Sequence, residues 1–277
     1  MKPLPRSYLF VPGHRPDRFD KALAAGADAV ILDLEDAVPA AEKDAAREAV
    51  LRWLHAHGAA ASPQILVRIN ASGTPQHAAD VAACRQGVHG VLLPKSEQVA
   101  ELARLVQALP GVALLPLIET AAGMAHALEI ARAPNVQRLV FGSIDFQHDL
   151  GIEGDGDELL YFRSQLVLHS RLAGLAAPVD GVSTVLDDAP RIHAETRRAR
   201  RLGFGAKLCI HPKQIAPMHE AFVPTEAELD WARRVLAAAE AAGGAAVALD
   251  GAMVDRPVIL RAEDLLARDR WHGRTER

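Results

Sequence analysis

Eight short apolar runs recur up to residue 210, and the stretches between them carry helical periodicity. The runs are YLFVP (8–12), AVILDL (29–34), ILVRIN (65–70), GVLLPK (90–95), ALLPLIE (113–119), RLVFGS (138–143), PVDGV (178–182) and GAKLCI (205–210). They are apolar along most of their length rather than alternating, as in strands buried on both faces of a parallel sheet. Segments such as RFDKALAAGA, AEKDAAREAVLRWLHAH, SEQVAELARLVQAL and DAPRIHAETRRARRLG supply helices to cover that sheet. Eight strand–helix units predict an α/β protein of the closed (β/α)8 barrel type. A doubly wound open sheet is the alternative. It usually announces itself by a glycine-rich first turn, whereas VPGHRP holds one glycine.

The chain has 277 residues, 49% of them hydrophobic, enough to fill a barrel-sized core. The barrel is expected over 1–222 and a C-terminal helical extension with a lid-like tail over 223–277. In that tail, 225–242 reads as an amphipathic helix, GGAAVALDG (243–251) as an extended flexible connection, and AMVDRPVILRAEDLL as a final helix.

Charge and cysteine usage exclude several classes. Lys plus Arg is 31 against 35 for Asp plus Glu, a net charge of -4 that makes no case for nucleic acid. The basic run Arg197, Arg198, Arg200 and Arg201 reads as a solvated helix face. Cys84 and Cys209 form no CxxC pair and no disulfide framework. MKPLPRSYLFVPGH is too short and proline-broken for a signal peptide, and no apolar run approaches the length of a membrane span. A cytoplasmic protein is expected.

A barrel of this kind builds its site at the C-terminal ends of its strands. Those ends offer Asp33 at the end of the second run with Glu35 and Asp36 just after it, Arg68 and Asn70 in the third, and Lys95 closing the fourth. Glu119 follows the fifth, Asp145 the sixth and His211 the eighth. Glu119 and Asp145 lie one strand–helix unit apart, so both would project toward one point. Two carboxylates, completed by water and substrate oxygens, suit Mg²⁺, with Mn²⁺ as the alternative ion. No HExxH or paired His/Cys spacing argues for zinc, and no GxSxG for a serine nucleophile. Lys95 reads as a salt-bridge partner of the nearby carboxylates or as a substrate contact.

Taken together and in order, RSYLFVPGHRPDRFDKA, ADAVILDLEDAVPAAEKDAAR, VRIN, LLPKSE, LIETAAGM, VFGSIDF, GFGAKLCIHPKQI and GAMVDRPV resemble the citrate lyase β-subunit family of the HpcH/HpaI aldolase superfamily. The resemblance spans about residues 6–262. It implies the same barrel and an enzyme that makes or breaks a carbon–carbon bond in CoA thioesters of hydroxy acids, of the citryl-, malyl- or citramalyl-CoA type. It implies Glu119 and Asp145 as magnesium ligands and Arg68 as the substrate arginine. Glu35 and Asp36 become groups that bond metal-bound water, and Asp255 becomes a C-terminal acid supplied across a homotrimer or hexamer interface. The bare residues also allow Asp255 to be a helix-start acid with Pro257 in the first turn. One departure stands out: Ile144 occupies the position before Asp145 where many relatives carry an acid.

The implied reaction splits a 3-hydroxyacyl-CoA into an acyl-CoA and a 2-oxo acid. Arg68 would stabilise the thioester enolate oxyanion, and Asp255 would protonate the enolate carbon. Three other readings stay open: an aldolase acting on free hydroxy-oxo acids, a thioesterase using the same site, and a non-catalytic subunit of a lyase complex.

Overall fold

The eight apolar runs pair edge to edge in chain order. In the computed structural model, which describes residues 4–57, 63–85, 87–243 and 245–272, they form a closed barrel, β1 through β8 and back to β1. The strands are β1 (Ser7–Pro12), β2 (Ala29–Asp33), β3 (Gln64–Arg68), β4 (Gly90–Leu93), β5 (Ala113–Ile118), β6 (Val140–Phe141), β7 (Val179–Asp180) and β8 (Ala206–Cys209). Every barrel pair is parallel. Between and after them lie α1 (Phe19–Leu23), α2 (Lys43–His57), α3 (His77–Ala83), α4 (Val99–Ala108), α5 (Ala121–Ala125), α6 (Ala127–Ala131), α7 (Ser143–Leu150), α8 (Leu160–Leu172), α9 (Ala189–Leu202) and α10 (Ile215–Phe222).

Alternation along the strands fills the barrel. Tyr8, Ile31, Leu66, Leu92, Leu115, Leu117, Val140, Val179 and Leu208 point inward and pack as one buried cluster. Because side chains repeat every second residue, the next inward positions after Ile31, Leu66 and Leu117 are Asp33, Arg68 and Glu119. The apolar layers therefore end in a polar layer at the C-terminal mouth. Residues of the opposite parity face the helices, and two of these are charged. Asp180 of β7 accepts from Arg163 Nε of α8 at 2.9 Å and from Lys207 Nζ of β8 at 3.0 Å. Cys84 and Cys209 are free, buried thiols.

The chain divides into two compact units, Met1–His219 and Glu220–Arg277. The second contains α11 (Glu226–Ala241), β9 (Val247–Leu249), β10 (Ala252–Val254) and α12 (Arg256–His272). Thr225 caps α11 by a reciprocal exchange with Glu228. The segment expected to be a flexible connection is instead part of an antiparallel hairpin, with Val247 opposite Val254. Its turn is Asp250–Gly251, both at positive φ (51° and 77°), the geometry that an Asp-Gly dipeptide favours. Gly244 of the same segment lies outside the described residues. The hairpin buries Val254 against Ala232, Val235, Ala262 and Leu265, so this unit has an apolar core of its own. Among the described residues, no helix is long and apolar enough to cross a membrane.

Candidate active site

The polar layer opens into a cavity of about 400 Å³. Asp33, Asp36, Arg68, Glu119, Ser143 and Asp145 line one part of it.

Asp33 and Arg68 are paired in register on neighbouring strands. Arg68 donates from Nε to Asp33 Oδ1 at 2.7 Å and from Nη2 to Oδ2 at 2.6 Å. The Asp33 carboxylate also accepts from the Glu35 and Ala37 backbone amides. This edge of the guanidinium is occupied by Asp33, because alternation turns both side chains inward side by side. What remains toward the cavity is Nη1, 3.0 Å from Glu35 Oε2 and 3.4 Å from Asp36 Oδ2. The Phe10 ring lies 4.9 Å from the Arg68 guanidinium carbon, a cation–π contact that further fixes its plane.

Glu119 is 1% exposed. Its Oε1 accepts from the Lys95 backbone N–H at 2.7 Å, and its Oε2 has no hydrogen-bond partner. Burial, with the Glu35 and Asp145 carboxylates acting in the same direction against the Lys95 amide, pushes the Glu119 carboxyl up to about 8. Lys95 has a left-handed backbone (φ 47°), uncommon for a residue with a side chain. That turn aims its N–H at Glu119 while its Nζ reaches Glu35 Oε1 at 2.7 Å. Burial raises the Glu35 carboxyl too, against the pull of Arg68 and Lys95.

Asp145 lines the same cavity from the first turn of α7 rather than from a strand end. Gly142, just before that helix, leaves room for Glu119: a Cβ there would sit 2.5 Å from Glu119 Oε2. Neither the Asp33 clamp nor the Gly142 clearance was read from the sequence. The alternation Ala29, Ile31, Asp33 was the available signal for the first.

A buried carboxylate oxygen without a partner, a second carboxylate on the same cavity and a raised carboxyl together fit a hard divalent cation with oxygen ligands. Among the described residues, no three His, Cys, Asp or Glu side chains are grouped to hold a metal by themselves. Water and substrate oxygens would complete the coordination.

The site's six barrel candidates, Glu35, Asp36, Arg68, Lys95, Glu119 and Asp145, thus come together at one mouth. Asp255 belongs to the second unit, where its Oδ1 accepts weakly from Val258 N–H (3.4 Å) at the start of α12.

Residues 6–212 match the family model described as HpcH/HpaI aldolase/citrate lyase. The chain belongs to this family. Within the HpcH/HpaI aldolase/citrate lyase family it is 41% identical to a citrate lyase subunit beta-like protein of Deinococcus radiodurans, over 95% of this chain and 97% of that one. It is 34% identical to a (3S)-malyl-CoA thioesterase of Cereibacter sphaeroides, over 95% and 94%. Among solved structures, CitE of Mycobacterium tuberculosis in complex with magnesium, acetoacetate and coenzyme A superposes with a TM-score of 0.84 at 37% identity, covering 95% of this chain and 97% of that one. As a member of this family, the protein is an enzyme of the lyase type.

Proposed function

We propose that the protein is a Mg²⁺-dependent carbon–carbon lyase that cleaves a 3-hydroxyacyl-CoA thioester of the citryl-, malyl- or citramalyl-CoA type into an acyl-CoA and a 2-oxo acid. The observation that carries this reading is the unpartnered Glu119 Oε2 sharing a cavity with Asp145 and the Asp33-clamped Arg68. The likeness to a relative solved with magnesium and coenzyme A supports the cofactor and the substrate class. Glu119 and Asp145 would hold the cation, with Mn²⁺ as the alternative ion, and Glu35 and Asp36 would bond its water. When bound, the cation supplies Lewis acidity toward the hydroxyl and carboxylate oxygens of the oxo-acid half.

The chain's own residues do the rest. As the hydroxyl proton is given up to solvent, that oxygen becomes the carbonyl of the oxo acid, the carbon–carbon bond breaks, and its electron pair moves into the thioester, gathering negative charge on the thioester oxygen. Arg68 offers that oxygen a fixed cation, because Asp33 prevents the guanidinium from swinging away. Lys95 neutralises Glu35 and contacts substrate at the rim. Asp255 gives its proton to the enolate carbon, and in the reverse direction it removes one. The working form is a homotrimer or hexamer in the cytoplasm, with Asp255 supplied by a neighbouring copy.

Thioester hydrolysis is the second reading, favoured by the likeness to the Cereibacter thioesterase. Purified protein with Mg²⁺ and a panel of 3-hydroxyacyl-CoA thioesters separates the two. Lysis yields an acyl-CoA plus an oxo acid; hydrolysis yields free CoA plus a hydroxy acid. Activity that survives chelation of divalent ions would refute the metal-dependent lyase.

A further inference from the structure

The barrel mouth is polar on one side and apolar on the other. Its polar arc comes from the ends of β2, β3 and β5 and from Ser143 and Asp145 after β6, and its apolar arc from Ile144 of that same turn and the loops after β7 and β8. That apolar arc is Ile144, Val182 and Ile210. Ile144 is 45% exposed and Ile210 43% exposed. Large aliphatic side chains open to solvent on the wall of a cavity mark a surface that an apolar group covers.

Charge points the same way. Among the described residues lining the cavity, Arg68 is the only base, against the carboxylates Asp33, Asp36, Glu119 and Asp145. Arg68 is committed to Asp33, and Lys95 Nζ to Glu35. A divalent cation answers the carboxylate of an oxo acid, but a second substrate carboxylate beside Ile144 would meet Asp36 and Asp145, and among the described residues the apolar arc of the lining carries no positive charge. Ile144 stands beside Asp145 at the seam between the arcs.

We propose that Ile144, with Val182 and Ile210, selects the substituent on the oxo-acid half of the substrate, favouring a small alkyl group over hydrogen and over a carboxymethyl group. The inference rests on reading this mouth as an oxo-acid site and narrows its substrate to the class that yields pyruvate or 2-oxobutyrate.

The test is calorimetric binding of free 2-oxo acids to the full chain in Mg²⁺, which needs no turnover. Glyoxylate, pyruvate, 2-oxobutyrate and oxaloacetate present hydrogen, methyl, ethyl and carboxymethyl at the same place. An apolar pocket discriminates one methylene by ~10–200-fold, so pyruvate or 2-oxobutyrate should bind at least ~10-fold tighter than glyoxylate, with oxaloacetate weak. Ile144→Ala should shrink the pyruvate-to-glyoxylate gap, and Ile144→Val should keep most of it. Oxaloacetate binding as tightly as pyruvate would overturn the inference. So would an Ile144→Ala loss equal for all four acids, no change for any of them (the mark of a wall that serves the thioester arm these acids lack), or no binding of any acid. If the binding preference holds but the matching CoA thioesters are not cleaved, the lyase reading fails while the alkyl preference stands.

Discussion

Glu119 and Arg68 show how two buried charges in one polar layer differ in cost. Arg68 is met by a carboxylate on the adjacent strand; Glu119 Oε2 is met by nothing. Glu119→Gln keeps an oxygen for the Lys95 amide and removes a carboxyl that burial penalises, whether by holding it charged or by forcing its protonation. The metal-free variant should therefore melt higher than the parent, by about 1–3 kcal/mol of stability, while Mg²⁺ binding measured by calorimetry disappears. Parent-like Mg²⁺ affinity in this variant would remove Glu119 from the metal site. Arg68→Lys should do the opposite to stability. An ammonium cannot make both bonds to Asp33, which is 1% exposed and would be left short of partners. The loss should be about 3–5 kcal/mol, as for other broken buried pairs. Turnover should fall roughly 10²–10³-fold, the cost of removing one oxyanion donor. Denaturant titration and steady-state kinetics read the two effects separately. A variant with unchanged stability would contradict the clamp, and one with unchanged kcat would contradict the oxyanion role. Only the second of these effects could be expected from the sequence, because register, not composition, brings Asp33 beside Arg68.

At the scale of elements, the strands were legible because each is an apolar run too short for a helix. Their inward faces were legible too, once alternation was applied. β6 and β7 were less so: the runs span 138–143 and 178–182, but only Val140–Phe141 and Val179–Asp180 are strand, since loops claim the polar ends. The C-terminal hairpin was missed because VAL and AMV are too short to stand out. The Asp250–Gly251 pair between them was the signal. The ion network behind β7 and β8 was invisible as well, since Asp180 and Lys207 become neighbours only when their strands pair. Burial alone would raise the Asp180 carboxyl, but Lys207 and Arg163 outweigh it and hold it below the usual carboxylate range. A depressed carboxyl stabilises the fold above its unfolded pKa of about 3.9 and loses that contribution as pH falls through the lower folded value. The urea midpoint should therefore drop on acidification below about pH 4, and Asp180→Asn should flatten that part of the drop. The variant should also cost about 3–5 kcal/mol at neutral pH, since Lys207 stays buried without its counter-charge and Arg163 keeps only Asp155. An acid limb identical in parent and variant would show that the network is not what titrates.

At the scale of the whole molecule, the chemistry needs an acid for the enolate carbon, and among the described residues the carboxylates of the barrel mouth are otherwise engaged, Asp36 with Arg68 Nη1 at 3.4 Å. Asp33 is tied to Arg68, Glu35 to Lys95, and Glu119 and Asp145 are assigned to the cation. Asp255 comes from the second unit, at the end of a hairpin whose turn is fixed by Asp250 and Gly251, with Arg234 of α11 bonded to Asp250. An acid at the end of a hairpin that packs on an apolar core of its own is suited to delivery into another copy's barrel. In a ring of identical chains, each mouth would then combine Glu119 of one copy with Asp255 of the next. This makes a numerical prediction for mixed oligomers. Asp255→Asn and Glu119→Gln chains should each be inactive alone. After equal mixing and full subunit exchange, about a quarter of the sites should carry both intact residues if the acid acts across an interface. If Asp255 serves its own chain, every site still lacks one of the two and nothing is regained. Exchange is verified by native mass spectrometry of differently tagged chains, and activity is then measured with the thioester that the parent cleaves best. Recovery near a quarter of the parental rate supports delivery by a neighbour. No recovery after confirmed exchange refutes it, and the search for the proton donor returns to Asp255 within its own chain.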